Sequence, residues 1–397
     1  MKVLKKLAII VAVIPFLTGC WDSIEVNDVA LVTAAGADQL KNGNIKLILQ
    51  IAIPSQLGPT GMGGSGGVQG STFVVSNSGK TVMEAYRRIQ EKLPRRIFFS
   101  HSRIIVIGQS LARHGVSEVL DFFTRYPEAR LNDYIIFTKG KAANLLETKT
   151  PLERVSSEEI RELNKEGLGI KVSLRDFIDR LLGEGIEPVA AQFKREPERS
   201  DGESASQSDQ GMMDVAIVGA AVFRNDRLIG WLNNIETRGI LWLGNNVKQG
   251  VIGVNIPKNK GGGRIGAQIY QSSTNIDPKI EGNNVKINVN IRSEMDVYEN
   301  DSKLNLEDPK VIKYLQTNLE NEIKARIKLT LNKIQKQYKS DIFGFGRAVY
   351  QSYPKVWEKS YKKQWTRIFP MADVKVIPHV KIKQTGLTNK SLSGKDG

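Results

Sequence analysis

Cysteine is nearly absent from this 397-residue chain, in which Cys20 is the only one. A single thiol excludes an internal disulfide framework and a zinc site built from several thiolates. Histidine is almost as rare, and His101, His114 and His379 do not have the spacing of metal ligands. The one Gly-x-Ser-x-Gly match, at residues 63–67, lies in the glycine-rich stretch 58–70, which is typical of a flexible loop and not of the strand-to-helix turn of a nucleophile elbow. We therefore predict a protein that is not an enzyme and uses no metal or cofactor.

Long apolar segments are also missing. No run of about 18 apolar residues occurs, so the sequence predicts no transmembrane helix. Near the N-terminus, an apolar run at residues 7–14 follows Lys2, Lys5 and Lys6. This run is too short to span a bilayer, and a basic start before a short apolar segment is typical of a secretory signal peptide.

Residues 17–20, Leu-Thr-Gly-Cys, end this segment and resemble the lipobox of bacterial lipoproteins. The resemblance implies that a diacylglycerol is attached to the Cys20 thiol and that the chain is then cut before Cys20. We therefore predict a signal peptide at 1–19 and a mature protein that Cys20 anchors to membrane lipid. The alternative is a chance apolar N-terminus with a buried thiol.

Charge is unevenly distributed along the chain, whose formal net charge is +15. Residues 301–397 contain 20 Lys and Arg against 9 Asp and Glu, so most of the excess lies in the last quarter. An exported lipoprotein rarely meets nucleic acid, so we predict no nucleic-acid partner. Anionic lipid headgroups are the nearer partner for such a basic surface. The alternative is a solvated basic face without a specific ligand.

The composition divides the chain at residues 194–211, which contain no aliphatic or aromatic core former apart from one alanine. Such a segment is typical of a linker. We predict an N-terminal α/β domain at 20–193, with room for two subdomains, and a C-terminal α/β domain at 212–385. The end, 386–397, is predicted to be a disordered tail. Alternating strand and helix patterns indicate an α/β (α+β) fold of mixed sheets covered by helices.

A long amphipathic helix is predicted in the C-terminal domain, beginning at Asp308-Pro309. Its apolar stripe, mostly at steps of four, consists of Val311, Ile312, Leu315, Leu319, Ile323, Ile327, Leu331, Ile334 and Tyr338. The helix follows a strand-like alternation at 285–291, which needs a cover, so it is predicted to pack on a sheet. The alternative is a helix that lies on a membrane surface. Upstream, residues 240–243 are predicted to form a short strand.

One motif resembles a nucleotide site without completing it. Ser78-Gly79-Lys80-Thr81 lies between a predicted strand and a predicted helix, as the end of a P-loop does. A P-loop also needs a glycine five residues before the Gly of Gly-Lys-Thr, and Val74 stands there. The segment is therefore interpreted as a turn and a helix start.

Several segments, in order, resemble the Ger(x)C family of spore germination lipoproteins. They are Gly19-Cys20-Trp21-Asp22 with Glu25, residues 98–108 (FFSHSRIIVIG), Arg130 and Tyr134, Glu236-Thr237-Arg238-Gly239 with Trp242, Asp341-Ile342-Phe343-Gly344-Phe345-Gly346, Tyr353-Pro354, Trp357 and Trp365. Together they cover almost the whole chain, and their order is more specific than any one of them.

This resemblance implies a non-enzymatic C subunit of a nutrient-germinant receptor. Its partners would be two integral-membrane proteins, the A and B subunits, and its place the outer face of the spore inner membrane. The family carries over no ligand or catalytic residue, so the only predicted site is lipidation at Cys20. The alternative is an extracytoplasmic solute-binding or wall-remodelling lipoprotein, which would need a deep polar pocket or a convergent pair of acids.

Overall fold

The computed structural model describes residues 28–53, 71–148, 153, 155–167, 169–197, 213–244, 247, 250–282 and 284–386. The predicted signal peptide, the lipidation site Cys20 and nearly all of the predicted tail lie outside these residues. Within them, none of the helices is both long and apolar enough to cross a bilayer.

The first sheet has nine strands, and its middle strands are parallel. The strands are β1 (Val29–Gln39), β2 (Ile45–Ala52), β3 (Thr72–Gly79), β4 (Arg96–Phe98), β5 (Ile104–Gly108), β6 (Tyr134–Thr138), β7 (Val189–Pro197), β8 (Met213–Arg224) and β9 (Arg227–Asn233). Their order is β3-β2-β1-β5-β6-β7-β8-β9, and β4 pairs with the start of β1. Antiparallel pairs at both ends flank the parallel β1-β5-β6-β7 centre, so the sheet is mixed as predicted.

Six helices accompany this sheet: α1 (Val82–Gln90), α2 (Gln109–His114), α3 (Ser117–Arg125), α4 (Ala142–Leu146), α5 (Ser156–Lys165) and α6 (Leu174–Leu182). They separate the parallel strands, which need crossover connections. The segment that resembles a P-loop ends β3 and starts α1, where the Thr81 side chain accepts a hydrogen bond from the Glu84 N–H. It therefore serves as a helix N-cap.

The predicted linker joins two neighbouring strands of one sheet. Its first residues, 194–197, belong to β7, and residues 198–212 lie outside the described part of the chain. Strand β7 pairs antiparallel with β8, from Val189 with Val222 to Pro197 with Met213. Strands β8 and β9, which fall in the predicted 212–385 domain, thus complete the first sheet, and the division between the sheets comes after β9. The composition could not reveal that β7 and β8 are neighbours, because strand pairing does not require any particular composition in the segment that connects the strands.

The second sheet has four strands, β10 (Val251–Asn255), β11 (Arg264–Glu281), β12 (Asn284–Asn300) and β13 (Asp373–Gln384), in that order. Helix α7 (Asn234–Leu243) precedes it, and helix α8 (Pro309–Asn332) continues into a π-helical turn, Lys333–Tyr338. The chain then forms α9 (Phe345–Ser352), α10 (Pro354–Val356), a π-helical turn Trp357–Tyr361, a 3-10 turn Lys362–Gln364 and α11 (Trp365–Ile368). Strand β13 pairs parallel with β12 at the sheet edge, where its Pro378 is tolerated.

The prediction of a long amphipathic helix that covers a sheet is confirmed. Asp308 caps α8 by accepting a hydrogen bond from the Lys310 N–H at 2.8 Å. Every fourth residue from Leu315 to Ile327 is fully buried, and this stripe shares one core with the inward residues of β12. Burial of each such side chain stabilises the fold by roughly 1.5–3 kcal/mol, so the helix belongs to the core.

The prediction of a short strand at 240–243 is wrong, because these residues form the last turn of α7. Asn233 and Glu236 make a reciprocal capping box at the start of this helix, and its end is almost wholly apolar and buried. Continuous burial removes the helical periodicity from the sequence, so the four apolar residues resembled a buried strand.

Helix α7 lies very close to α8 at one point. Thr330 donates a hydrogen bond to the Glu236 carbonyl at 2.8 Å, and the Lys333 ammonium contacts both Glu236 carboxylate oxygens at 2.8 Å. A Cβ atom at Gly239 would lie 2.1 Å from the Thr330 Oγ1 atom, which leaves room for glycine alone. This contact fixes the helix that connects the two sheets.

We expect Gly239→Ala to lower the free energy of unfolding by about 1–3 kcal/mol, because its methyl group would overlap Thr330. Helix propensity alone would raise stability by about 1 kcal/mol, so the two effects differ in sign. Urea unfolding of the variant, beside the exposed control Ile235→Ala in the same helix, measures the effect. A stabilised Gly239→Ala protein would contradict the close contact.

Candidate functional site at the junction of the two sheets

The turn after α8 contains a carboxylate that is buried and saturated with hydrogen bonds. Lys339 adopts a left-handed conformation (φ 49°) and ends the π-helical turn, and the Ser340 hydroxyl bonds to the Phe223 carbonyl of β8. Asp341 follows and is only 3% exposed. Its carboxylate accepts five hydrogen bonds, from the backbone N–H groups of Phe343 (3.2 Å), Gly344 (3.0 Å), Phe345 (3.2 Å) and Gly346 (2.7 Å) and from the Trp365 indole (2.9 Å).

Two opposing effects act on the pKa of Asp341. Burial disfavours the charged form, and the hydrogen bonds from Gly346 and its neighbours favour it. Burial is the larger effect and raises the pKa from 3.8 to about 6. The carboxylate therefore organises its own loop at neutral pH, while it remains costly to bury.

Glycines permit the loop 183–187, which precedes β7, to contact this turn directly. A Cβ atom at Gly185 (φ 65°) would lie 2.3 Å from the Gly346 carbonyl carbon, and one at Gly346 would lie 2.6 Å from the Trp365 Nε1 atom. Arg347 donates its backbone N–H to the Gly185 carbonyl at 2.9 Å. The two backbones therefore touch at a place where larger residues do not fit.

An ion pair and a hydrogen bond also join α6 to the segment 341–347. The Arg347 guanidinium pairs with the Asp179 carboxylate at 2.8 Å, and Arg180 donates to the Ile342 carbonyl at 3.0 Å. Burial lowers the pKa of Arg180. Glu187 adds a backbone bond, from its N–H to the Asp341 carbonyl, at 2.8 Å. The segment 341–347 is thus tied to the first sheet by side chains and by backbone.

A cavity of about 230 Å³ lies between these segments. The loop 183–187 lines one side of it, the buried residues Asp341, Trp357, Trp365 and Phe369 line the other, and the exposed residues Lys339, Lys362 and Thr366 lie around it. The two indole rings have centroids 5.4 Å apart. The cavity therefore combines aromatic surface with several charged groups.

The glutamates of the cavity differ in their partners. Glu184 pairs with the Lys362 ammonium at 2.6 Å, which lowers the pKa of the carboxyl, and it accepts a bond from the Trp357 indole at 3.2 Å. Burial raises the pKa of Glu187, whose carboxylate accepts the Asn225 backbone N–H at 2.6 Å. One carboxylate is therefore neutralised by a cation, and the other has only a neutral donor.

A second depression, of about 490 Å³, lies between α1 and α3 and is mainly apolar. Phe122, Tyr126, Val82 and Met83 line it, and the Tyr86 and Tyr126 hydroxyl groups are 2.8 Å apart beside it. Phe99, from the segment 98–108, packs against Phe122 and Tyr126. This part of the predicted family pattern therefore forms aromatic core.

The structure brings together one part of the sequence pattern and separates the rest. Asp341, Trp357 and Trp365 line the cavity, and the backbone of 343–346 bonds to Asp341 beside it. Glu236 and Gly239 lie instead at the contact between α7 and α8. Cys20, the predicted lipidation site, lies outside the described residues. Among the described residues, no group of three or more His, Asp or Glu is arranged to hold a metal ion. Sequence reasoning missed Glu184, Gly185 and Glu187, because an isolated glycine or acid in a loop carries no pattern.

We expect the burial of Asp341 to make stability depend on pH. Because the folded-state pKa is above the unfolded value, the folded protein holds this proton more tightly than the unfolded chain. The stability that this group contributes is therefore greatest below about pH 4 and decreases as the pH rises through 6, by up to about 3 kcal/mol. Asp341→Asn should remove this dependence and also lower the free energy of unfolding by about 1–3 kcal/mol through lost hydrogen bonds.

Urea unfolding followed by tryptophan fluorescence between pH 4 and 7 measures the difference between the two proteins. Asp179→Asn is the matched control, since its exposed carboxylate should contribute less than about 1 kcal/mol. A wild-type stability that rises relative to Asp341→Asn between pH 4 and 6 would show that the sign is wrong.

Comparisons with known proteins place nearly the whole chain in one family. Residues 22–195 match the model of the spore germination protein N-terminal domain, and residues 218–386 match the model "Spore germination B3/ GerAC like, C-terminal". The chain is 30% identical to spore germination protein KC of Bacillus subtilis (strain 168) over 387 residues, which cover 95% of this chain and 94% of that protein. It is 28% identical to spore germination protein YndF of the same organism, with 93% of each chain covered.

A solved structure has the same fold. The crystal structure of the GerBC protein matches with a TM-score of 0.57 at 19% identity, and the match covers 88% of this chain and 96% of that one. The predicted mixed α/β architecture is therefore confirmed. The matches to both family models and the identity over nearly the full length agree with the ordered motifs of the sequence. The chain belongs to the Ger(x)C family of spore germination proteins, the C subunits of germinant receptors.

Proposed function

We propose that this chain is the lipid-anchored C subunit of a nutrient-germinant receptor, held on the outer face of the spore inner membrane. The observation that carries the proposal is the Leu-Thr-Gly-Cys sequence at 17–20, which precedes the matched family domain at 22–195. Two acyl chains on Cys20 would hold the protein stably at the bilayer, whereas one chain would hold it only marginally.

The A and B integral-membrane subunits are the proposed partners. A lipid at Cys20 would leave eight residues between the anchor and Val29, the first residue of β1. Eight or nine residues span at most about 30 Å, so the folded protein would stay close to the headgroups and to membrane-embedded proteins. The chain would then act as a non-enzymatic subunit that assembles with these partners and is required for the response to nutrient.

A basic segment supports additional contact with anionic headgroups. Between residues 355 and 367, Lys355, Lys359, Lys363 and Arg367 are exposed and have no ion pair among the described residues. Val356 and Met371 are exposed beside them, at 38% and 75%. Basic residues near a membrane contribute about 1 kcal/mol each to the attraction of an anionic leaflet. We propose that this segment faces the lipid surface.

Mass spectrometry of the membrane-extracted protein tests the anchor. We expect an N-terminus at Cys20 that carries diacylglycerol, and we expect Cys20→Ala to lose both palmitate labelling and stable membrane association. Ser23→Ala, three residues further on, is the control and should behave as wild type. Palmitate labelling or unchanged membrane retention of Cys20→Ala would overturn the lipid anchor.

Germination of spores in nutrient tests the receptor role. In a strain without a redundant receptor, deletion of the gene should abolish germination in the cognate nutrient, and the wild-type gene should restore it. Spores that carry Cys20→Ala should germinate poorly, because the subunit would no longer be concentrated at its partners. Normal germination of the deletion strain would contradict the receptor role even if the anchor is correct.

Vesicle co-sedimentation tests the basic segment. The Cys20→Ala protein should bind vesicles with about 30% phosphatidylglycerol better than pure phosphatidylcholine vesicles, and salt should weaken this binding. The triple variant Lys355→Gln, Lys359→Gln, Lys363→Gln should bind at least tenfold more weakly, since about 3 kcal/mol of attraction is removed. The matched control is Lys258→Gln, Lys303→Gln, Lys310→Gln, whose lysines are exposed elsewhere in the C-terminal half. Equal loss in both triple variants would mean that only the total charge matters.

A further inference from the structure

We propose that the cavity between the loop 183–187 and the aromatic residues Trp357 and Trp365 binds a small molecule that carries an ammonium group. The Glu187 carboxylate would be the ion-pair partner of that group. This goes beyond assembly at the membrane, because it assigns a binding site to the chain itself.

The cavity has the size of a small metabolite. Its volume of about 230 Å³ corresponds to roughly seven or eight water molecules at about 30 Å³ each. Its aromatic side is formed by residues that are at most 7% exposed, while Lys339, Lys362 and Thr366 are exposed around it. A ligand could therefore enter from the solvent side and contact the buried aromatic side chains.

The three carboxylates that line the cavity differ in how far their charge is already matched. Asp341 accepts five N–H hydrogen bonds, so its acceptor capacity is largely used. Glu184 already pairs with Lys362. Glu187 has only the Asn225 backbone N–H, and within the described ranges no Lys, Arg or His comes within ion-pair distance of it.

Arg224 is near enough to act on the charge of Glu187, but it is not an ion-pair partner of that carboxylate. Its guanidinium donates a hydrogen bond to the Tyr338 carbonyl instead. A half-buried carboxylate without a cation is stabilised by any cation that reaches it, and ionised pairs form the stronger hydrogen bonds. The group that suits Glu187 is therefore a positively charged donor.

The aromatic side of the cavity favours the same chemistry. Indole faces attract cations, by about 0.5–2 kcal/mol according to exposure, and Trp357 and Trp365 both line this space. Each of their N–H groups already has an acceptor, Glu184 and Asp341 respectively, so what remains for a ligand is mainly ring surface. Lys339, which no ion pair engages among the described residues, could accept a carboxylate on the same molecule. A small zwitterion would therefore bind at least as well as a simple amine.

Occupancy would also affect the junction itself. The loop 183–187 belongs to the first sheet's side and the tryptophans to the segment after α8, so a ligand between them would contact both. A ligand that binds only the folded state stabilises it, and the gain increases with its concentration. Binding of a small molecule in the cavity would therefore stabilise the packing of the loop 183–187 against the segment after α8.

Titration of the full chain in detergent tests the proposal, with propylamine, β-alanine and propionate as probes. Tryptophan fluorescence and calorimetry should show saturable binding of propylamine and β-alanine, a raised melting temperature with both, and no binding of propionate. Glu187→Gln should weaken the binding of both amines at least tenfold. Glu196→Gln, a partly exposed glutamate of β7, is the matched control and should leave binding unchanged.

A second variant protects the test against misfolding of Glu187→Gln. Thr366 is exposed at the cavity, so Thr366→Trp should fold normally and block all binding by filling the space. Propionate binding with no amine binding, absence of any saturable binding, or wild-type affinity in Glu187→Gln would each overturn the proposal. None of these results bears on lipidation at Cys20 or on germination, so the anchor and receptor role would stand or fall separately.

Discussion

The arrangement of the C-terminal third depends on one buried carboxylate. Asp341 lies just after the π-helical turn that follows α8. Its two carboxylate oxygens accept hydrogen bonds from four consecutive backbone N–H groups and from the indole of Trp365, 24 residues further along the chain. Without these bonds the turn at 343–346 would leave buried donors unpaired, and each would cost about 1–3 kcal/mol. The charge is costly to bury, but the one carboxylate accepts hydrogen bonds from all five of these donors. The contact with Gly185 and the position of the aromatic cavity follow from this turn.

The loop 183–187 shows how the first sheet takes part in this arrangement. It connects α6 to β7, and its glycine permits a backbone-to-backbone approach that any side chain would prevent. The ion pair of Arg347 with Asp179 and the bond from Arg180 come from the helix just before it. Packing at the junction is therefore determined by two short segments that are about 160 residues apart in sequence.

Much of the fold could be predicted from the sequence, and the exceptions have physical reasons. Helix α8 buries the face that carries Leu315 to Ile327 and exposes the opposite one, so the apolar periodicity predicted the helix. The strand-like alternation before it predicted that the helix covers a sheet. The end of α7 is buried on all sides, which removes periodicity, and there the prediction was wrong. At the candidate site, residues 341–346, Trp357 and Trp365 contributed to the family resemblance, but the sequence predicted no site there. The role of Glu187 could not be predicted, because it depends on which cations the fold keeps away from it.

The antiparallel pairing of β7 with β8 has a consequence for how the chain can be divided. The two family models, 22–195 and 218–386, suggest two modules that could be produced separately. In the folded protein, however, the C-terminal model includes most of β8, whose hydrogen-bond partner β7 lies at the end of the N-terminal one. A protease that cuts between residues 198 and 212 would therefore release no free fragment, since the cut ends would remain joined through the sheet. Separate expression of either half would expose an unpaired strand edge, and such edges aggregate.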